Sequence, residues 1–154
     1  MQNPALGAMC IWKYICGYSD QSEKMSSVPL PALYLVMPLV SREEIRETVC
    51  HTTAGFFKLV DKMRVSNSIH ALTTIREAVP QMYALTSEAL SIALAARLVA
   101  FNDAAGGFVP MQYSSTKLTT TSVEDEYMKA ALRLGKWSYA VGVDRLFAIF
   151  GVET

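Results

Sequence analysis

The side chains best suited to chemistry are few and scattered. Cys10, Cys16, Cys50, His51 and His70 are the soft and borderline metal ligands of the chain. Cys50 and His51 are adjacent and His70 lies far from both. Zinc sites use paired ligands at short, defined spacings, and this set offers none. Ordinary buried cysteines and surface histidines are the expectation, with no metal ion. Nucleophilic catalysis has no better footing, because no serine sits in a G-x-S-x-G elbow. Neither phosphate-cradling pattern, G-x-x-x-x-G-K-[ST] or G-x-G-x-x-G, occurs. The carboxylates cluster at Glu43, Glu44 and Glu47 and again at Glu124, Asp125 and Glu126. Both clusters fall on helix starts or helix faces, where solvated acids are the default. The chain is therefore expected to be no enzyme and to carry no cofactor.

Size and composition bound the alternatives. A length of 154 residues predicts one domain over residues 1–154 with a sizeable core. The chain is 51% hydrophobic and only 18% charged, with a mean hydropathy of +0.22. That balance means either a dense core or apolar surface that a partner covers. Fourteen Lys and Arg balance fourteen Asp and Glu, which argues against a general nucleic-acid binder while leaving a local basic patch open. An odd number of cysteines without a secretory leader pattern predicts free thiols in the cytoplasm. The apolar run over residues 28–40 is too short to span a membrane and contains Pro29, Pro31 and Pro38, so no membrane segment is expected.

The elements that would position any functional side chain centre on residues 69–111. A helical run over residues 69–79 meets Pro80, which lacks a donor and clashes one turn back. A second run, residues 87–97, has Thr86 as a candidate cap and Glu88 near the positive end of the helix. Two short apolar runs, 98–101 and 108–111, then flank the polar break Asn102-Asp103-Ala104-Ala105-Gly106-Gly107, the pattern of a β-hairpin. Helix, turn, helix, hairpin is the order of a winged helix. The expected class is therefore mainly α with one small β-hairpin, a winged-helix-like core over about residues 42–111 with helices on either side.

Around that core the chain reads as further helices. Asn3-Pro4 starts a helix over residues 4–16 that is apolar almost all round, with Lys13 its one charge and Gly17 as its stop. Pattern alone does not separate helix from strand over residues 32–37; Pro31, suited to a first turn, favours a short buried helix closed by Pro38. Ser41-Arg42-Glu43-Glu44 fits a capping box before a helix to Cys50. Thr52 or Thr53 starts another to about Arg64, and residues 65–68 make a turn. Residues 112–122 read as a linker. C-terminal helices over residues 123–150 follow, broken at Gly142 and ended by Gly151. In the first of them Tyr127, Ala130, Ala131, Leu134, Trp137 and Ser138 form one stripe. The N-terminal helix and this stripe are expected to pack together, with Trp12, Pro38 and Trp137 as structural anchors.

The helix-turn-helix region is poorly furnished for DNA. Its second helix offers Ser87, Glu88, Ser91 and Arg97 as its non-apolar side chains, and the hairpin turn adds Asn102 and Asp103. Phosphate contacts supply most DNA affinity, and this surface lacks the cations for them. Glu88, Ser91, Arg97, Asn102 and Asp103 are instead candidate protein-docking residues. A transcriptional regulator with a degenerate winged helix is the alternative reading.

An ordered series of short motifs resembles a known family. Asn3-Pro4 with Trp12 and Gly17-Tyr18 comes first, then Pro29-Leu30-Pro31 and Met37-Pro38-Leu39, with Arg46 downstream. Val79-Pro80, Thr86-Ser87-Glu88-Ala89-Leu90 and the hairpin follow, then Leu134-Gly135-Lys136-Trp137 and a Leu-Phe-Ala-Ile-Phe-Gly-Val end from Leu146 to Val152. This series resembles the small middle components of three-component ABC conflict systems, which overlap with Lamassu-type anti-phage systems. One departure is the spacing from Val79-Pro80 to Thr86, which is longer than the family's Val-Pro-Tyr-Thr. The resemblance implies a non-catalytic adaptor, working with an SMC/RecN-like ABC ATPase and a large, often nuclease-like, effector. Any DNA contact would be indirect, through the complex.

Overall fold

The computed structural model describes residues 3–20, 26–112 and 122–152. Among them the order is α1 (Pro4–Asp20), α2 (Leu30–Ser41), α3 (Glu43–Cys50), α4 (Phe56–Val65), α5 (Ile69–Thr73), α6 (Ile75–Gln81), α7 (Tyr83–Ala95), β1 (Val99–Asn102), β2 (Gly107–Pro110), α8 (Val123–Val141) and α9 (Val143–Phe150). The molecule is mainly α with one antiparallel hairpin, as the sequence pattern predicts. The expected linker lies largely in residues 113–121, outside the described residues.

α1 is the central element. Asn3 Oδ1 accepts from the Ala5 and Leu6 backbone N–H groups at 3.0 and 3.3 Å, and Pro4 takes the first helical position. Every residue from Cys10 to Ser19 is buried. The expected stop at Gly17 is wrong: the helix runs on to Asp20. Gly17 serves a helix crossing, since a Cβ there would run into the Leu132 carbonyl of α8. Gly135 of α8 repeats the arrangement against the Tyr14 carbonyl of α1. The two missing Cβ atoms let the backbones of α1 and α8 touch, and this is the most extensive contact between elements.

α8 begins where its acids predict, with Ser122 Oγ accepting from the Asp125 N–H at 3.2 Å. Its buried stripe is Ala130, Ala131, Leu134, Trp137 and Ser138, together with Gly135. Gly142, at φ 92°, breaks it before α9. Trp137 meets Phe56 of α4 edge to face at 5.5 Å, and Phe56 meets Phe150 of α9 at 5.8 Å. One aromatic chain thus joins three helices.

Two arginines close the seam between α3 and α8. Arg46 is buried; its Nε donates to Glu126 Oε1 at 2.8 Å and its Nη1 to the Val40 carbonyl at 2.9 Å. Its guanidinium lies 4.1 Å over the Tyr127 ring. Glu126 is therefore not the solvated acid its cluster suggested. Arg133 Nη1 donates to the carbonyls of Val49, Cys50 and Thr52 at 3.0, 2.7 and 2.7 Å. These carbonyls lie at and just beyond the C-terminus of α3, the end of a helix that favours a cation.

Several boundaries differ from the sequence reading for physical reasons. Residues 30–41 are helical as favoured, with Pro31 in the first turn, but Pro38 sits buried inside α2 and does not close it. No capping box forms, because Arg42 in extended conformation separates α2 from α3 and the Ser41 hydroxyl is buried without a partner. Thr52 does not start α4; its hydroxyl donates back to the Thr48 carbonyl at 2.6 Å, and α4 begins after Gly55. The run over residues 69–79 divides at Thr74 into α5 and α6, and Pro80 is tolerated one residue before the end of α6. Its missing donor would have served the carbonyl of exposed Arg76. α7 starts at Tyr83, so Thr86 is no cap, and its hydroxyl is buried without a partner.

The hairpin pairs Val99 with Pro110, Ala100 with Val109, Phe101 with Phe108 and Asn102 with Gly107. Gly106 supplies the positive φ of the turn, at 70°. Gly107 has a different duty: Val28 bridges Phe108 through paired 2.8 Å hydrogen bonds, and a Cβ on Gly107 would meet Ser27 and the Val28 carbonyl at 2.7 Å. α7 packs on α1 where Ala89 meets Gly7, a Cβ on Gly7 coming within 3.0 Å of the Ala89 Cβ.

Two variants test this architecture by thermal unfolding. Gly135→Ala should cost at least the ~1–3 kcal/mol of ordinary overpacking, because backbone and not a side-chain tip stands in the way. Trp137→Ala should cost about 3–5 kcal/mol. Melting of either variant at the wild-type temperature would contradict the packing described.

Candidate partner-docking surface

The outward side of α7 is built by helical spacing. Thr86, Ala89, Leu90 and Ala93 face the core. Tyr83, Ala84, Ser87, Glu88, Ser91, Leu94 and Ala95 face solvent. This outer face is small, hydroxylic and nearly uncharged. Tyr83 is 51% exposed and Leu94 39%, so apolar surface is part of the face and not an incidental edge of the core.

A cleft of about 480 Å³ opens beside the Tyr83 end of α7. The start of α2 supplies Leu30, Pro31 and Tyr34, α6 and α7 supply Val79, Tyr83 and Ser87, and the C-terminal region supplies Phe147 and Val152. Tyr34 and Tyr83 meet edge to face at 5.0 Å, and the Tyr34 hydroxyl shares a 3.1 Å hydrogen bond with Ser87 Oγ. The two rings are thereby held in a fixed arrangement. Among the described residues that line it none is a carboxylate, a lysine, an arginine or a histidine, and its walls are apolar and hydroxylic.

The structure places the sequence-predicted residues in two groups. Glu88 and Ser91 lie exposed on the outer face of α7 near the cleft. The Ser91 hydroxyl donates to the Ser87 carbonyl at 2.9 Å. Arg97, Asn102 and Asp103 lie exposed at the opposite end, where α7 passes into the hairpin. Asn102 Oδ1 accepts from the Ala104 and Ala105 N–H groups at 3.1 and 3.2 Å, so half of its side chain shapes the turn. Arg97 holds a left-handed backbone at φ 58°, and its N–H and that of Leu98 close the helix onto Leu94 and Ala93. Glycine would hold that position without strain.

Sequence reasoning missed Tyr34, Tyr83 and the rest of the cleft, whose residues come from three separated stretches. Their available signal was Tyr83 one turn before Ser87. The anchors lie inside. Trp12 donates its indole N–H to the Gln112 carbonyl at 2.9 Å, and Lys13 Nζ lies 4.6 Å from the Trp12 ring. Burial pushes Lys13 below the ordinary lysine range, with Cys16 opposing it. Burial pushes the Cys10 thiol up to about 12 and also raises that of Cys50, where Glu126 adds to the shift. All three cysteines are buried and none is in a disulfide. Among the described residues no group of three or more His, Cys, Asp or Glu could hold a metal ion, and no helix is long and apolar enough to cross a membrane.

Residues 1–154 match the model of the family described as ABC-three component (ABC-3C) system Middle Component 3. The chain belongs to this family. A middle component works with the other components of its system. No curated protein and no solved structure matches the chain.

Arg97→Gly separates the fold from the face. Removing left-handed strain offsets the added freedom of glycine in the unfolded chain, so the variant should be as stable as wild type or up to about 1 kcal/mol more stable. Denaturant titration measures this. A clear loss of stability would show that the Arg97 side chain serves the fold.

Proposed function

We propose that this middle component is a non-catalytic adaptor that links an SMC/RecN-like ABC ATPase to an effector subunit, nuclease-like in chemistry. The setting is cytoplasmic anti-phage defence of the Lamassu type. The observation that carries this reading is the outer face of α7 with its Tyr34–Tyr83 cleft, apolar and hydroxylic, on a chain of the Middle Component 3 family. Aromatic anchors beside a shaped cleft are what protein interfaces concentrate their energy on. Glu88 lies midway along α7 and Arg97 just past its end, and the two fix the orientation of a partner by charge. Three buried thiols outside any disulfide suit a reducing compartment.

α6, α7 and the hairpin form a winged-helix-like unit in this proposal, used against protein. Residues 83–110 contain Arg97 as their one cation, against Glu88 and Asp103. A DNA-reading unit would need several phosphate contacts here. DNA is therefore reached through the complex and not by this chain. The ATPase would sense it, and the adaptor would hold the effector inactive until then.

The test is co-expression with the ATPase and effector of the same system, followed by affinity capture on the tagged middle component. Tyr83→Asp combined with Arg97→Gly should melt close to wild type and lose about tenfold or more in ATPase capture. Undiminished capture of both components would show that the face of α7 is not where they dock.

A further inference from the structure

A second surface lies on α4, away from the face just described and independent of that reading. At about 3.6 residues per turn, Arg64, Phe57, Asp61, Val65 and Lys58 fall on one side of this helix. Phe56, Leu59 and Met63 fall on the other and are buried. Phe57 is 66% exposed and Val65 89%, the two most exposed large apolar side chains among the described residues. Lys58, Lys62 and Arg64 against Asp61 make the helix basic. The Lys62 ammonium donates to the His51 carbonyl at 2.7 Å, while Lys58 and Arg64 meet no carboxylate within ion-pair distance among the described residues.

The complement of this face is carried by the same chain. α3, which packs against α4, exposes Glu43, Glu44 and Glu47 on one side, again with no ion pair among the described residues. Its one cation, Arg46, is turned inward onto Glu126. Two adjoining helices of opposite charge on an electrically neutral chain are self-complementary under a twofold axis. We propose that the outward face of α4 is a contact surface for a second copy of this chain, with α4 of each copy seated against α3 of the other. Phe57 and Val65 become covered at the centre, and the Lys58 and Arg64 cations meet the Glu44 and Glu47 carboxylates around them.

The full chain should sediment as a monomer–dimer equilibrium that weakens about tenfold or more between about 50 and 500 mM salt, as screened charge pairs require. Lys58→Glu with Arg64→Glu should be monomeric, and so should Glu44→Lys with Glu47→Lys, each still folded with a cooperative melt. Mixing the two reversed proteins should restore a dimer, because both α4–α3 contacts then pair opposite charges. A wild-type monomer at about 100 µM in low salt would overturn the proposal, since weak specific interfaces still associate there. So would undiminished dimer in either reversed protein, failure of the mixture to associate, or a monomer that binds duplex DNA through this face.

Discussion

The crossing of α1 and α8 at Gly17 and Gly135 is the contact from which the other placements follow. Each glycine gives up its side chain to a carbonyl of the opposite helix, Leu132 for Gly17 and Tyr14 for Gly135. Close backbone approach multiplies weak dispersion contacts along both helices. It also fixes how α1 is turned, and an element buried at every position from Cys10 to Ser19 has no spare face. Its other close approach, Gly7 against Ala89, takes the inner side of α7. What remains of α7 is its outer face, exposed at Tyr83, Ser87, Glu88, Ser91 and Leu94.

Polar groups hold the same frame in orientation. Arg133 gathers three carbonyls from the end of α3, and Arg46 ties Glu126 to the end of α2 while lying over Tyr127. Breaking one partner of a buried ion pair leaves the other uncompensated, which costs far more than the pair contributes over an apolar replacement. Through these bonds the two arginines tie α2, α3 and α8 to one another.

Much of this was legible from residue pattern. The apolar circumference of residues 4–16, the stripe from Tyr127 to Ser138 and the hairpin around Asn102 to Gly107 each carry a period or a turn chemistry that tertiary packing did not override. The failures cluster at residues with two possible duties. Gly17 read as a stop because a helix end and a helix crossing both ask for a missing Cβ. Pro38 and Pro80 read as breaks because their neighbours' spare carbonyls cannot be foreseen. Ser41 and Thr86 read as caps, yet both hydroxyls are buried without a partner. The docking candidates on α7 and the hairpin were accessible to spacing arguments. The cleft between Leu30, Tyr34, Tyr83 and Phe147 was not, since no local pattern reports that distant stretches converge.

The central claim is that a partner of the system covers the outer face of α7 and the tyrosine cleft. Hydrogen exchange of the free protein and of its complex with the ATPase component tests it residue by residue. Protection gained on complex formation should concentrate in residues 30–34 and 83–103, with the α1–α8 crossing unchanged because it is already closed. A complex that forms while leaving residues 83–103 exchanging as in the free protein would contradict it.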